Sequence, residues 1–114
     1  MMLKNCLLYP ALLTAFAGCA TTDDLRSRPP VASGEAHVAT NEFVGCVQER
    51  WINNGADRVN LISTRERSTL TSSGQTGVEL LLDVMPSTSG SNFRLYSRMI
   101  LGEAKLISAA EACR

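Results

Sequence analysis

The sequence predicts a small α+β domain: an antiparallel sheet of three or four strands with an N-terminal and a C-terminal helix packed on one sheet face. Three observations predict this class. Apolar residues recur at helical spacing near residue 45 and again near the carboxyl end. Between these segments apolar and polar residues alternate, and clusters of glycine, serine and proline separate the alternating stretches. The order of elements is therefore helix, strands, helix.

The chain begins with the pattern of an export signal. Lys4 precedes an apolar run from Cys6 to Ala17, and small residues then lead to Cys19. The run is shorter than the ~20 apolar residues that cross a bilayer, and Pro10 interrupts it. We therefore predict that residues 1–18 are a cleaved signal peptide. The Cys that follows it either has a role of its own or is the chance end of an ordinary cleavage site.

The tetrapeptide Phe16-Ala17-Gly18-Cys19 resembles the lipobox of bacterial lipoproteins, although Phe16 stands where that motif has an aliphatic residue, usually Leu. The resemblance implies cleavage before Cys19, a diacylglyceryl group on its sulfur and an acylated, palmitate-type amine. Two or three acyl chains anchor a protein stably, whereas one holds it marginally. Ala20 after the modified Cys, rather than Asp, favours the outer membrane, facing the periplasm.

Residues 19–37 are predicted to be the lipidated Cys and a flexible tether. They are polar, small or proline, with Pro29-Pro30 at their centre, and they show no apolar period. We expect the folded domain to occupy residues 38–114.

The first helix is predicted over 41–53, with Thr40 as its N-cap and Asn54-Gly55 as its stop. One apolar sector of this helix holds Phe43, Val44, Cys46, Val47 and Trp51.

The strands follow Gly55. Val59 and Leu61 mark the first, 68–72 is a weaker one, and 73–77 is a turn. The clearest strand places Val78, Leu80, Leu82 and Val84 on one face, with Glu79 and Asp83 on the other. After a loop at 86–90, the last strand is marked by Phe93, Leu95 and Met99.

The closing helix is predicted from Glu103 onward, with Leu106, Ile107, Ala109, Ala110 and Cys113 on one face. Loss of Cys6 and acylation of Cys19 would leave two thiols, Cys46 and Cys113. An even pair in an exported protein indicates one disulfide, and two buried reduced cysteines are the alternative.

Charge and composition exclude some functions. Removing Lys4 leaves ten basic and eleven acidic side chains, which lacks the basic excess of a nucleic-acid binder. His37 is the single histidine and lies in the predicted tether, so neither a catalytic triad nor a metal site is predicted. Glu79 and Asp83 are about 13 Å apart along one strand, too far for a glycosidase pair. We predict no catalytic residue, no metal and no cofactor.

One surface suggests recognition. Arg94, Tyr96 and Arg98 alternate on the last strand, which would place two guanidinium groups and a phenol on one sheet face. Pairing with Glu79 or Asp83 across strands would instead make this an ordinary solvated face.

The body of the chain looks like a group of short, uncharacterised envelope lipoproteins of proteobacteria. The shared features are a Cys a few residues before Trp51, the Gly90-Ser91 turn, and an Ala-rich final helix ending in Cys113. The resemblance implies no activity and no functional residue. The sequence thus favours a non-enzymatic envelope lipoprotein that binds an envelope protein or an anionic envelope polymer. A small ligand-binding or hydrolase-accessory protein using the arginines, and a purely structural lipoprotein, are the alternatives.

Overall fold

Five antiparallel strands form one sheet in the computed structural model, which describes residues 21–75, 77–98 and 104–114. Their order across the sheet is β1-β5-β4-β3-β2. The strands are β1 (Ala32–Ala36), β2 (Val59–Ser63), β3 (Ser68–Gly74), β4 (Gly77–Ser87) and β5 (Gly90–Ser97). The helices are α1 (Thr22–Arg26), α2 (Thr40–Asn53) and α3 (Ala104–Glu111).

The predicted fold class needs correction. The sheet has five strands rather than three or four, a third helix precedes it, and strands outweigh helices. The additional helix and strand come from the segment expected to be a tether. α1 contributes a single buried apolar residue, Leu25, and β1 has the sequence Ala-Ser-Gly-Glu-Ala. Neither carries enough apolar residues to produce a period, and both are held by tertiary contacts.

Strand β1 is made mostly of small residues, and the carboxyl end of the chain packs over its Gly34. It pairs antiparallel with β5, with Gly34 opposite Phe93. The guanidinium carbon of Arg114 lies 5.3 Å from the centre of the Phe93 ring. A Cβ on Gly34 would come within 2.6 Å of that guanidinium, and the φ of Gly34 is +150°. A larger residue at position 34 would therefore displace Arg114.

The main core fills one face of the sheet, here called the first face. Leu70, Leu80, Leu82, Val84, Phe93 and Leu95 contribute the sheet side, while α2 and α3 contribute Phe43, Val44, Val47, Trp51, Leu106 and Ala110. The rings of Phe43 and Phe93 lie 5.2 Å apart in a tilted arrangement. The indole N–H of Trp51 donates to the carbonyl of Leu106 at 2.9 Å and joins the two helices.

The opposite face, here called the second face, is covered by α1, so the helices do not all lie on one face. Leu25 packs there on Leu81 and Tyr96, with Val78 beside them. Val78 was predicted to share a face with Leu80. A register shift between Ser72 and Ser73 makes Glu79 an extra residue and moves Val78 to the second face.

Several element boundaries are close to those expected. α2 begins one residue early, so that Thr40 lies inside the helix and Ala39 is the N-cap, without a side-chain hydrogen bond. Asn54 is the C-cap, and Gly55 has the positive φ of +86° that ends such helices. β4 continues through Pro86 to Ser87, where a loop was expected. Met99 and Glu103 lie outside the described residues.

Candidate functional site

A buried ion pair is the centre of the second face. Asp83 on β4 is 4% exposed, and Arg26 on α1 approaches its carboxylate with two donors. Arg26 Nε donates to Oδ2 at 2.7 Å, and Nη2 donates to Oδ1 at 2.8 Å. The hydroxyl of Thr69 donates to Oδ1 at 2.8 Å and accepts from Arg26 Nη2 at 3.1 Å. Arg67 approaches the same carboxylate at 3.9 Å. The partners of this carboxylate are thus side chains of α1, of β3 and of the β2–β3 connection.

The electrostatics of the pair favour its charged form. Burial of Asp83 disfavours the carboxylate and acts to raise its pKa. The hydrogen bonds from Arg26 and Thr69 and the charges of Arg26 and Arg67 outweigh burial, so the pKa of Asp83 lies below its usual value. The hydrogen bond to Asp83 correspondingly raises the pKa of Arg26. The ion pair thus holds α1 against the sheet. We do not expect Asp83 to act as a general acid or a general base at neutral pH.

The predicted arginine face is divided by α1. Arg94 is exposed, and its register partner on β4 is Asp83, whose carboxylate is bound by Arg26. Tyr96 is only 5% exposed and belongs to the cluster with Leu25. The N–H of Arg98 donates to the carbonyl of Glu79 at 2.9 Å. The three residues share a strand, but Tyr96 packs against Leu25 of α1 instead of forming one exposed surface with the two arginines.

Sequence reasoning missed the basic residues that α1 and the segment after it bring to this face. Arg28 Nη1 donates to the carbonyl of Arg98 at 3.2 Å, and Arg26 lies on Asp83. The available signal was the Thr21-Thr22-Asp23-Asp24 stretch, which has the composition of a helix start: Thr21 is the N-cap of α1. Asp83, considered as a cross-strand partner for the arginines of the last strand, is instead paired with Arg26 of α1.

A groove of about 680 Å³ lies on the first face, between α2 and the β2–β3 hairpin. Val44, Leu61 and Pro86 contribute apolar surface, and Arg65 and Arg67 are the charged residues of its lining. A second groove of about 540 Å³ lies on the second face and is lined by Ile62, Val78 and the threonines of β3. Leu61 lines both grooves, so strand β2 is the wall that separates them.

Strand β2 is the most exposed apolar part of the described chain. It lies at the edge of the sheet and pairs with β3 on one side. Leu61 is 41% exposed and Ile62 is 67% exposed. Its sequence, Val-Asn-Leu-Ile-Ser, lacks the charged residues and proline that usually protect an edge strand. Sequence reasoning placed this strand correctly and did not recognise it as an open edge.

Cys46 and Cys113 form a disulfide, which confirms the predicted pairing. Their Cα atoms are 5.9 Å apart, and the bridge closes a separation of 67 residues between α2 and the end of α3. Both thiols are therefore unavailable as nucleophiles or metal ligands. Among residues 21–75, 77–98 and 104–114, no group of three or more His, Cys, Asp or Glu residues could hold a metal ion. His37 is exposed, beside β1.

No helix in the described part of the chain combines the length and the apolar character needed to cross a membrane. Cys19 and the predicted signal peptide lie outside the described residues. Comparison with protein-family models, with curated proteins and with solved structures finds no match to this chain.

Proposed function

We propose that this chain is an exported, lipid-anchored envelope protein whose folded domain binds other envelope components without catalysing a reaction. The observation that carries the proposal is the Cys46–Cys113 disulfide. Structural disulfides persist in oxidising compartments and are rare where thiols are kept reduced. A disulfide between two helices of this domain therefore supports export through the proposed signal at residues 1–18.

The proposed anchor is the acylated Cys19, and the proposed destination is the outer membrane with the domain facing the periplasm. Because α1 begins at Thr22, the connection between Cys19 and the domain is short. The domain would consequently stand close to the lipid headgroups rather than tens of ångströms away. A partner of this protein would then be another membrane protein or a polymer near the membrane surface.

The proposed contact for an anionic partner is the basic second face around Arg94 and Arg98. Arg94 is exposed, and planar guanidinium groups bind carboxylates and phosphates with two hydrogen bonds. The burial of Tyr96 narrows this surface and disfavours a ligand pocket built on all three residues.

Fractionation and crosslinking of one set of strains test both parts. We expect wild-type protein in the membrane fraction, crosslinked to a partner. Cys19→Ser should prevent lipidation, so that the variant is recovered as uncleaved precursor or as soluble protein. Arg94→Ala with Arg98→Ala should leave the anchor intact and remove the partner.

The controls separate the alternatives. Glu111→Gln changes an exposed charge on α3 and should affect neither readout. Lipid-labelled Cys19→Ser protein would contradict the anchor. A partner unchanged in the double arginine variant would contradict the basic face, and the absence of any crosslinked partner would favour a purely structural lipoprotein.

A further inference from the structure

We propose that strand β2 is a self-association edge, which pairs antiparallel with β2 of a second copy of this chain about a two-fold axis at Leu61. The inference goes beyond the proposed function and does not depend on the anchor. It rests on the direction of the free backbone groups of β2, on the side chains that this pairing would bring together, and on the charges at its ends.

The hairpin fixes which backbone groups point outward. The N–H of Thr64 donates to the carbonyl of Arg67 at 2.8 Å, so position 64 faces β3. In an antiparallel pair, successive residues face alternately toward and away from the partner strand. Asn60 and Ile62 therefore bond to β3, whereas the N–H and C=O groups of the other three residues point away from the sheet. These residues are Val59, Leu61 and Ser63.

A two-fold pairing centred on Leu61 uses all three outward-facing residues. It places Leu61 opposite Leu61 of the other copy and Val59 opposite Ser63, so that outward groups meet outward groups. A shift by one residue would set outward groups against inward ones and cannot form the ladder. A shift by two residues leaves one outward residue of each copy without a partner. The hydrogen-bond pattern thus selects this register.

The same register buries the exposed apolar side chains. Leu61 lies opposite Leu70 in the β2–β3 pair and shares its face, so the two copies of Leu61 would meet on the first face. Ile62 lies opposite Thr69 and projects on the second face, where Asn60 of the other copy would be its neighbour. Leu61 also lines the grooves on both sides of β2, and Ile62 lines the groove on the second face.

Charged residues at both ends of β2 also favour this pairing. Asp57 and Arg65 are exposed and stand four residues before and four residues after Leu61. An antiparallel pairing about Leu61 brings Asp57 of each copy to the end of the strand where Arg65 of the other copy lies. β2 itself carries no charge, so no like charges oppose each other along it, and Arg58, which precedes it, would lie opposite Thr64 of the other copy.

The proposal is tested by sedimentation of the purified full-length chain in a non-ionic detergent. The measured quantity is the number of copies in the sedimenting species over a range of protein concentrations. We expect a two-copy species. Leu61→Pro removes an N–H that makes no bond within the sheet, since proline is tolerated on an edge strand in this position. The variant should be monomeric, with a thermal midpoint close to that of wild type at a dilution where wild type is also monomeric. Ile52→Ala removes a comparably exposed apolar side chain from α2 and should remain dimeric.

A charge exchange provides a test that does not depend on proline. Asp57→Arg sets like charges together at both ends and should raise the dimer dissociation constant roughly tenfold at low salt. The double variant with Asp57→Arg and Arg65→Asp should restore it. A wild-type chain that is monomeric at every concentration would overturn the proposal, as would a dimer that survives both Leu61→Pro and Asp57→Arg.

Discussion

Asp83 shows how a residue predicted to lie on a solvated strand face can instead hold the fold together. Its carboxylate is buried and accepts hydrogen bonds from Arg26 and Thr69. Removing one partner of a buried ion pair lowers the free energy of unfolding by more than the intact pair adds to it. The reason is that the other charge stays buried without a partner. Arg26 retains some exposure, which moderates that cost.

Asp83→Asn should therefore lower the free energy of unfolding by about 2–3 kcal/mol at neutral pH. Urea unfolding monitored by Trp51 fluorescence measures it. Asp24→Asn, in an exposed pair with Arg28, is the matched control and should change stability by less than about 1 kcal/mol. Equal losses in the two variants would contradict the role assigned to burial.

The pH dependence of the same pair has a defined sign. The pKa of Asp83 is lower in the folded than in the unfolded state, so its contribution is fully present above the ordinary value of 3.8. As pH falls below that value, the unfolded chain takes up the proton first, and stability is lost down to the folded pKa. Wild type should lose more stability than Asp83→Asn between about pH 5 and pH 2. Parallel stability curves would contradict this linkage.

At the scale of elements, α1 is the feature that changes the description of the molecule most. A helix of five residues is marginal on its own and must be held by packing. Leu25 supplies the packing by covering Leu81 and Tyr96, and Arg26 supplies the ion pair. The residues before β1 are thus part of the domain.

Leu25→Ala should lower the free energy of unfolding by about 2–3 kcal/mol, because a fully buried Leu is removed from a small cluster. Val31→Ala, in the exposed connection to β1, should change it little. Thermal unfolding of the two variants provides the comparison. A Leu25→Ala variant as stable as wild type would mean that α1 does not hold to the sheet.

The elements that the sequence predicts well are those with a strong apolar period. The sector from Phe43 to Trp51 and the alternation from Leu80 to Val84 both locate their elements, and the predicted pairing of Cys46 with Cys113 is confirmed. β1 could not be predicted in this way, since its sequence Ala-Ser-Gly-Glu-Ala has no apolar alternation, and Gly34 is required there by the close packing of Arg114. The open edge at β2 and the bulge at Glu79 depend on strand order and register, which a single sequence does not specify.

At the scale of the whole molecule, the disulfide joins the two helices that cover the first face. In the chain-entropy description, closing a separation of 67 residues contributes about 4 kcal/mol by restricting the unfolded chain. That is a large share of the ~5–15 kcal/mol typical of small domains. The Trp51–Leu106 hydrogen bond acts between the same helices but cannot restrict the unfolded state.

The double variant Cys46→Ala with Cys113→Ala should accordingly lose about 2–4 kcal/mol of unfolding free energy. Denaturant titration with and without reductant measures the effect. Reductant should lower the stability of wild type toward that of the variant and leave the variant unchanged. A wild-type protein insensitive to complete reduction would contradict the contribution assigned to the bridge.

We propose that this disulfide-bonded domain is exported and held on a membrane by Cys19. The intact mass of the protein, extracted from membranes without reduction, tests it most directly. We expect a chain that begins at Cys19, carries acyl groups, and gains two hydrogen atoms when Cys46 and Cys113 are reduced. An unacylated chain that retains residues 1–18, or one whose mass does not change on reduction, would contradict it.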